Sequence, residues 1–234
     1  MEQTHILLTG SSRGIGAAIA SALDRPDTAL IGHGTASGLA ADFSDPAAAA
    51  LLWQRALDRL DGRIDVLINN AGIFEANAID QSDEDWTVNW ERTMQVNLTA
   101  SAMLCRLAVL HWQARGSGGR IVNIASRAAY RGDSPHHWHY AASKAGMIAM
   151  TKTIARGYAA QGILAFAICP GFTMTGMAEE YLASRGGDKL LADIPLGRVA
   201  MPDEIATAAR FLAMEAPASM TGAVLDINGA SYVR

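Results

Sequence analysis

Two side chains four residues apart carry the first chemical signal in this 234-residue chain. Tyr140 and Lys144, in Tyr140-Ala141-Ala142-Ser143-Lys144, would share one face of a helix and lie within reach of each other. A neighbouring cation favours the phenolate, so this spacing is expected to draw a phenol with an ordinary pKa of about 10 toward working pH. Such a pair can give and take a proton. Ser126, which follows the apolar run Arg120 to Ala125, can donate to a carbonyl oxygen held by the same tyrosine. Alone, a Tyr and a Lys at this spacing form a solvated helix pair more often than a catalytic one. Near the N-terminus, Thr9-Gly10-Ser11-Ser12-Arg13-Gly14-Ile15-Gly16 falls where a strand turns into a helix. Glycines there permit a tight turn and let backbone N–H groups approach a pyrophosphate, and the helix end adds positive potential. The plain alternative is a packing turn in a glycine-rich chain. Asn69-Asn70-Ala71-Gly72 closes a second apolar run and would face the same edge. Asp42, just before Phe43, is placed to accept from an adenine amino group or, more simply, to cap a helix.

These residues need a frame that brings separate strand ends to one edge. Short apolar runs alternate with longer Ala-rich helical stretches, the pattern of a parallel sheet covered on both faces. Strands are expected at His5 to Thr9, Thr28 to Gly32, Leu39 to Asp42, Ile64 to Asn69, Arg120 to Ala125, Leu164 to Cys169 and Ala223 to Ile227. Helices are expected at Ala17 to Leu23, Pro46 to about Leu60 with Asp45 as cap, Glu84 or later to His111, Tyr140 to Ala160 and Asp203 to Met214. Gly34 to Gly38 leads almost directly into Leu39, which leaves no room for the usual crossover helix between parallel strands. That crossover is trimmed to a loop. The segment Gly171 to Pro202, rich in Gly, Ser and charge, reads as a mobile cover over a site.

Composition narrows the function. Half the residues are hydrophobic and 18% are charged, which supplies a core and argues against disorder. The formal net charge is −4, with no basic block, so nucleic acid and anionic membrane are poor partners. Cys105 and Cys169 sit in apolar runs and make neither a metal motif nor a disulfide framework. No secretory signal or span-length apolar run is visible, and a cytoplasmic protein is expected. The chain has 44 Ala and 22 Gly, which suits close helix–sheet packing.

Taken together and in this order, the motifs resemble those of the classical short-chain dehydrogenase/reductase family, over nearly the whole chain. The family pattern is met by Gly10/Gly14/Gly16, Asn69 to Gly72, Asn97, Ser126, Tyr140/Lys144 and Pro170-Gly171. The resemblance implies a single Rossmann-like domain over residues 1–234, α/β, with a doubly wound seven-stranded parallel sheet and helices on both faces. It implies hydride transfer between a nicotinamide dinucleotide and a carbonyl or alcohol. Tyr140 would be the general acid/base, Ser126 would polarise the carbonyl, and Lys144 would hold the ribose hydroxyls and lower the tyrosine pKa. Asn97 would order a proton-relaying water. Pro170, Gly171, Thr173 and Thr175 resemble the turn on the nicotinamide side. Cofactor contacts are further expected from Gly10, Ser12, Arg13, Gly14, Ile15, Gly16, His33, Asp42, Phe43, Asn70, Ala71 and Gly72. Relatives commonly form homotetramers, with a dimer as the lesser assembly, and Gly229 to Arg234 is either an interface segment or a frayed tail.

Gly32-His33-Gly34-Thr35 ends the second strand without an acidic residue, where Asp or Glu would select a free 2′-hydroxyl. Arg13, His33, Thr35 and Ser37 could surround a phosphate, so NADP(H) is favoured over NAD(H). Arg127 can pair with an anionic group on the substrate or make an ordinary salt bridge, and Trp138 is a candidate pocket wall with Phe74 and Met177 to Leu191. The run His136-His137-Trp138-His139 lacks metal-ligand spacing. The first 40 residues and Pro170 to Thr175 are similar to those of 3-oxoacyl carrier-protein reductases. However, Ser117 and Gln161 stand where such enzymes tend to place arginines that dock an acidic carrier. A small-molecule substrate is therefore preferred, with the carrier-protein reductase and a non-catalytic dinucleotide-sensing module as the alternatives.

Overall fold

The structure is a computed structural model and describes residues 3–175 and 187–234. Its strands are β1 (Thr4–Leu8), β2 (Thr28–Gly32), β3 (Val66–Asn69), β4 (Gly119–Ile124), β5 (Ile163–Pro170) and β6 (Val224–Ile227). The principal helices are α1 (Gly14–Ala22), α2 (Ala48–Arg59), α3 (Asp83–Met94), α4 (Ala100–Arg115), α5 (Ala128–Arg131), α6 (Trp138–Tyr158), α7 (Gly187–Ala192) and α8 (Pro202–Met214). The strands form one parallel sheet in the order β2-β1-β3-β4-β5-β6. Strand order reverses beside β1, and the crevice outside the carboxyl ends at such a reversal is where ligands bind in open α/β sheets.

The sheet has six strands, not the seven expected. Leu39 to Asp42 is not a strand: the chain folds back after Gly32, with Leu39 N–H on Gly32 O at 2.9 Å and Ala41 N–H on Gly34 O at 3.2 Å. A parallel neighbour needs a crossover of about a dozen residues, and Gly34 to Gly38 is too short to make one.

Alternation along the strands feeds two cores. Leu7, Leu67, Ile121 and Ala165 face α2 and α4, where Leu52, Trp53, Leu104 and Trp112 are buried. Ile6, Leu8, Ile68, Val122, Phe166 and Ile168 face α1 and α8, against Ile19, Ile205, Ala209 and Leu212. Small residues bring these layers together. A Cβ on Gly119 would lie 2.0 Å from the Trp112 ring, whose indole N–H donates to Ile64 O at 2.7 Å.

The helix expected to begin at Glu84 or later starts at Asp83, where the Ser82 hydroxyl accepts from Asp85 N–H at 3.1 Å. Three acidic residues in its first turn complement the helix dipole. It continues through a π-turn at Gln95–Thr99 into α4 and ends at left-handed Gly116. This helical run, Asp83–Arg115, has a stretch apolar enough to cross a membrane by composition, but half of that stretch is buried inside the molecule, as befits a core helix. The C-terminal tail is tied down. Arg234 donates to Asp226 Oδ2 at 2.9 Å, Tyr130 Oη at 2.9 Å and Val224 O at 2.6 Å, and Tyr232 stacks on Tyr130.

Candidate active site

β1 ends in Thr9 and the glycine turn that opens α1. Gly10 and Gly14 have φ of +67° and +53°, a region costly for other residues. A Cβ at Gly16 would lie 1.8 Å from Gly10 O, and one at Gly10 would lie 2.8 Å from Ala71 Cα. No side chain caps α1 at Arg13, so its first N–H groups are left for a ligand. The residues therefore fit a pyrophosphate-bearing group.

Asn70 ties this turn to β3. Its Nδ2 donates to Thr9 O and Gly10 O at 3.1 and 2.8 Å, while the N–H groups of Asn70 and Ala71 donate to Thr9 Oγ1. Beneath it runs a buried chain that sequence reasoning missed. Asn69 Nδ2 donates to Asn123 Oδ1 at 2.8 Å, and Asn123 Nδ2 to Thr151 Oγ1 at 2.8 Å. The signal was available: two strands each carry an Asn at an inward position where an apolar residue would ordinarily stand.

Ser126, just past the end of β4, and Tyr140, in the first turn of α6, are close enough for the serine side chain to act on the phenol. Lys144 lies one helical turn further on. It is 4% exposed and donates to Ile124 O at 2.9 Å, with its Nζ 5.8 Å from the Tyr140 ring centre. Burial opposes the expected lowering of the phenol pKa. Burial pushes Tyr140 up to about 12, against the hydrogen bond from Ser126, and burial pulls Lys144 down to about 8. The lysine donates to a backbone carbonyl rather than to the phenol, so desolvation outweighs attraction. At neutral pH the phenol is a proton donor.

Asn97, in the π-turn, is fully buried. Its Oδ1 accepts from Ile73 N–H at 2.8 Å and its Nδ2 donates to Ile73 O at 3.0 Å and to Ser143 Oγ at 3.3 Å. The carboxamide is thus oriented by the chain, while its Oδ1 keeps a second lone pair. A Cβ on Gly72 would meet Asn97 Oδ1 at 3.2 Å and Lys144 Nζ at 3.5 Å, so this glycine keeps open the space between the two groups.

Across the cleft, Thr173 Oγ1 donates to Gly171 O at 3.2 Å, and Gly171 packs against Asn228. Thr175 faces Gly14, whose Cβ would be 3.0 Å from the threonine methyl, so the turn after β5 closes on the glycine turn. At the adenosine end Asp42 is exposed and accepts from Ser44 N–H at 2.9 Å, which closes a local turn; it caps no helix, because α2 begins only at Ala48 with Ala47 as its N-cap. Phe43 is buried beneath His33, with ring centres 4.4 Å apart. His33 is itself buried, and both ring nitrogens are engaged by backbone, which removes it from the donors expected around a 2′-phosphate. Arg13, Thr35 and Ser37 are exposed, and the hydroxyls of Ser12 and Ser37 both approach Gly34.

On the substrate side the aromatic wall differs from expectation. Phe74 stands edge-on to Tyr140, ring centres 4.8 Å apart, and His137 stacks flat on Phe74 at 3.9 Å. Trp138 is largely exposed and has no part in this stack. His137 faces Ser134 Oγ at 2.6 Å. Arg127 pairs with Asp193 at 3.5 Å, and Arg131 binds the same carboxylate at 2.6 Å, so two cations share one anion. Most of Met177 to Leu191 lies outside the described residues. Among the described residues, no cluster of three or more His, Cys, Asp or Glu is arranged to hold a metal ion.

The comparisons with known proteins agree with this geometry. Residues 10–230 match the family described as enoyl-(acyl carrier protein) reductase. The chain is 34% identical to the 3-oxoacyl-(acyl-carrier-protein) reductase of Vibrio cholerae, covering 100% of this chain and 99% of that protein. It is 33% identical to the Escherichia coli enzyme of the same name, covering 97% and 96%. A crystal structure from Agrobacterium tumefaciens, provisionally designated 2-deoxy-D-gluconate 3-dehydrogenase and holding bound NADP, superposes with a TM-score of 0.87 at 30% identity, covering 100% of this chain and 98% of that one. With its parallel sheet, its glycine turn and its Ser, Tyr and Lys gathered at one sheet edge, the chain belongs to the short-chain dehydrogenase/reductase family of NAD(P)-dependent oxidoreductases.

Proposed function

We propose that the protein is a cytoplasmic reductase or dehydrogenase of a small carbonyl or alcohol compound that favours NADP(H) over NAD(H). The observation that carries this is the gathering of Ser126, Tyr140 and buried Lys144 at one edge of the sheet, with Lys144 Nζ 5.8 Å from the Tyr140 ring centre. A bound nicotinamide would supply or accept the hydride. Tyr140 gives its proton to the substrate oxygen during reduction and recovers one there during oxidation. Ser126 donates to the same oxygen and offsets its growing charge. Lys144 holds the ribose hydroxyls and fixes the cofactor beside the phenol. Asn97 acts through its neighbours: by gripping the Ile73 backbone it positions Gly72. Gly10, Ser12, Gly14, Ile15, Gly16, Asn70, Ala71 and Gly72 form the pyrophosphate side, and Pro170, Gly171, Thr173 and Thr175 the nicotinamide side.

The preference for NADP(H) rests on the absence of an acidic residue after β2 and on the exposed Arg13, Thr35 and Ser37, with Ser12 beside them. Turnover at equal NADPH and NADH tests it, and a large preference for NADH would reject it. The broader reading is tested with a panel of neutral and anionic alcohols, ketones and aldehydes followed by nicotinamide absorbance. Tyr140→Phe should lower turnover on any active member by roughly 10²–10⁴-fold; undiminished turnover would remove Tyr140 from the mechanism.

A second reading, 3-oxoacyl carrier-protein reductase, is favoured by the Vibrio cholerae and Escherichia coli relatives. Against it, Gln161 is bonded to Gln113 at 2.9 Å and Ser117 stands at the other position expected to dock the carrier. Comparing carrier-linked with free 3-oxoacyl substrates separates the two. We further propose a homotetramer through the long helices and the anchored tail; light scattering that gives a monomer would refute it.

A further inference from the structure

Residues 33–47 pose a structural problem, because they replace a crossover helix and contain no regular element. Something must hold them against the sheet edge where a dinucleotide's adenosine would lie. His33 is 3% exposed and meets three segments at once. Its Nδ1 accepts from Gly10 N–H at 3.3 Å, inside the glycine turn. Its Nε2 lies 3.0 Å from Ala41 O, at the far end of the loop. Its ring stacks on Phe43 with an interplanar angle of 24°. Its backbone completes the stitch, with His33 N–H on Leu8 O at 2.9 Å and Ser11 N–H on His33 O at 2.8 Å.

These contacts demand one tautomer. An acceptor is needed at Nδ1 and a donor at Nε2, so the proton sits on Nε2 and the ring is neutral. We infer that His33 is a positioning residue, a clasp that joins the glycine turn to the loop 33–43 and so shapes the adenosine end of the cofactor cleft. The inference rests on the dinucleotide reading of the site. A second proton would convert Nδ1 into a donor facing the Gly10 N–H, and the clasp would open on that side. The surroundings resist that proton: burial holds the imidazole below the ordinary histidine range, and Arg55 of α2 acts in the same direction against the hydrogen bond to Ala41. Arg55 donates to Ala40 O at 2.8 Å and is the charged side chain that acts on the ring. The glycine turn meets the ring with the Gly10 backbone and the loop meets it with Ala41 and Phe43, none of which is charged. The clasp therefore ties cofactor grip to pH: binding is firm while His33 is neutral and weakens in acid.

The test pairs two variants with two readouts. His33→Phe keeps a ring on Phe43 but removes both nitrogens, whereas His33→Asn keeps an acceptor near the Nδ1 position and does not titrate. NADPH and NADH binding is followed by nucleotide fluorescence from pH 5 to 8; NADH is included because the 2′-phosphate of NADPH titrates in the same range. The loss of neutral hydrogen bonds amounts to about tenfold in affinity. His33→Phe should therefore weaken both dinucleotides about tenfold at pH 7.5 and leave nicotinamide mononucleotide binding within twofold of the parent. His33→Asn should recover most of that loss and flatten the acid dependence seen with NADH. In the nucleotide-free protein, ¹⁵N spectra of the imidazole should show a bare Nδ1 and a protonated Nε2 at pH 7. Parent-like dinucleotide affinity in His33→Phe, an equal acid loss in all three proteins, or a protonated Nδ1 at pH 7 would each overturn the clasp. Failure of the parent to bind either dinucleotide would instead overturn the dinucleotide reading, and the clasp's proposed purpose with it.

Discussion

Gly16→Ala puts a number on how tightly the cofactor cradle is built. Gly16 lies in the first turn of α1 and is buried. The substitution should help the helix, because alanine is better than glycine in a helix interior by about 1 kcal/mol. Tertiary structure opposes it. The new Cβ would stand 1.8 Å from Gly10 O and 2.5 Å from Asn70 Nδ2, and carbon does not approach other heavy atoms closer than about 3 Å, so the turn must open by more than an ångström. The atom in the way is backbone and cannot swing aside as a side-chain end could. Overpacking of this kind costs typically 1–3 kcal/mol, and the shift also strains the Asn70 bond to Gly10 O, worth about 1 kcal/mol. The net expectation is a loss of roughly 1–3 kcal/mol. For a chain of this size that is a fall in Tm of roughly 3–9 °C, read by calorimetry, together with a loss of dinucleotide affinity read by nucleotide fluorescence. Gly157→Ala is the control. Gly157 lies in α6, exposed, with nothing within 4 Å of the place its methyl would take, and the same change there should raise Tm by a few degrees. A Gly16→Ala protein as stable as the parent, with unchanged affinity, would refute the argument that a backbone contact at this glycine shapes the site.

Further outcomes follow from the buried lysine and the arginine pair. Lys144 has its folded pKa lowered to about 8 from an ordinary 10.5. Below pH 8 its charge burdens the fold, and between pH 8 and 10.5 the unfolded chain holds a proton that the folded chain has released, so its contribution to stability rises with pH. Denaturant unfolding of the parent and Lys144→Met at pH 7 and pH 10 should show the difference moving in favour of the parent. A constant difference would mean that the lysine is not desolvated as described. Arg127 directly follows Ser126 and reaches Asp193 only at 3.5 Å, while Arg131 holds the shorter contact to the same carboxylate, so the Arg127 guanidinium is placed to turn to an anionic substrate. Arg127→Ala should raise KM about tenfold for an anionic carbonyl compound and less than twofold for a neutral one; equal effects would assign Arg127 to the salt bridge alone.

Much of this protein is legible without coordinates. The alternation of apolar runs and Ala-rich stretches reflects local periodicity, which is why six strands and the long helices lie within a few residues of where patterning puts them. Tyr140 and Lys144 share a helix face by spacing alone, and glycines at 10, 14 and 16 mark a turn because few other residues can make it. What the sequence cannot settle is how long-range contacts divide each polar group's hydrogen bonds. His33 reads as a phosphate donor until its two nitrogens are found on Gly10 and Ala41. The resemblance assigns Asn97 a water, but only the structure shows that its carboxamide also grips the Ile73 backbone. Leu39 to Asp42 has a strand's composition, but no chain is available to carry it parallel to a neighbour. Proximity along a helix brings Lys144 toward Tyr140, yet whether the cation activates the phenol depends on the water excluded from both. Spacing and propensity are local properties and survive in one dimension. Burial, tautomer and pKa depend on which distant segments close over a group, and here only the packed sheet edge decided them.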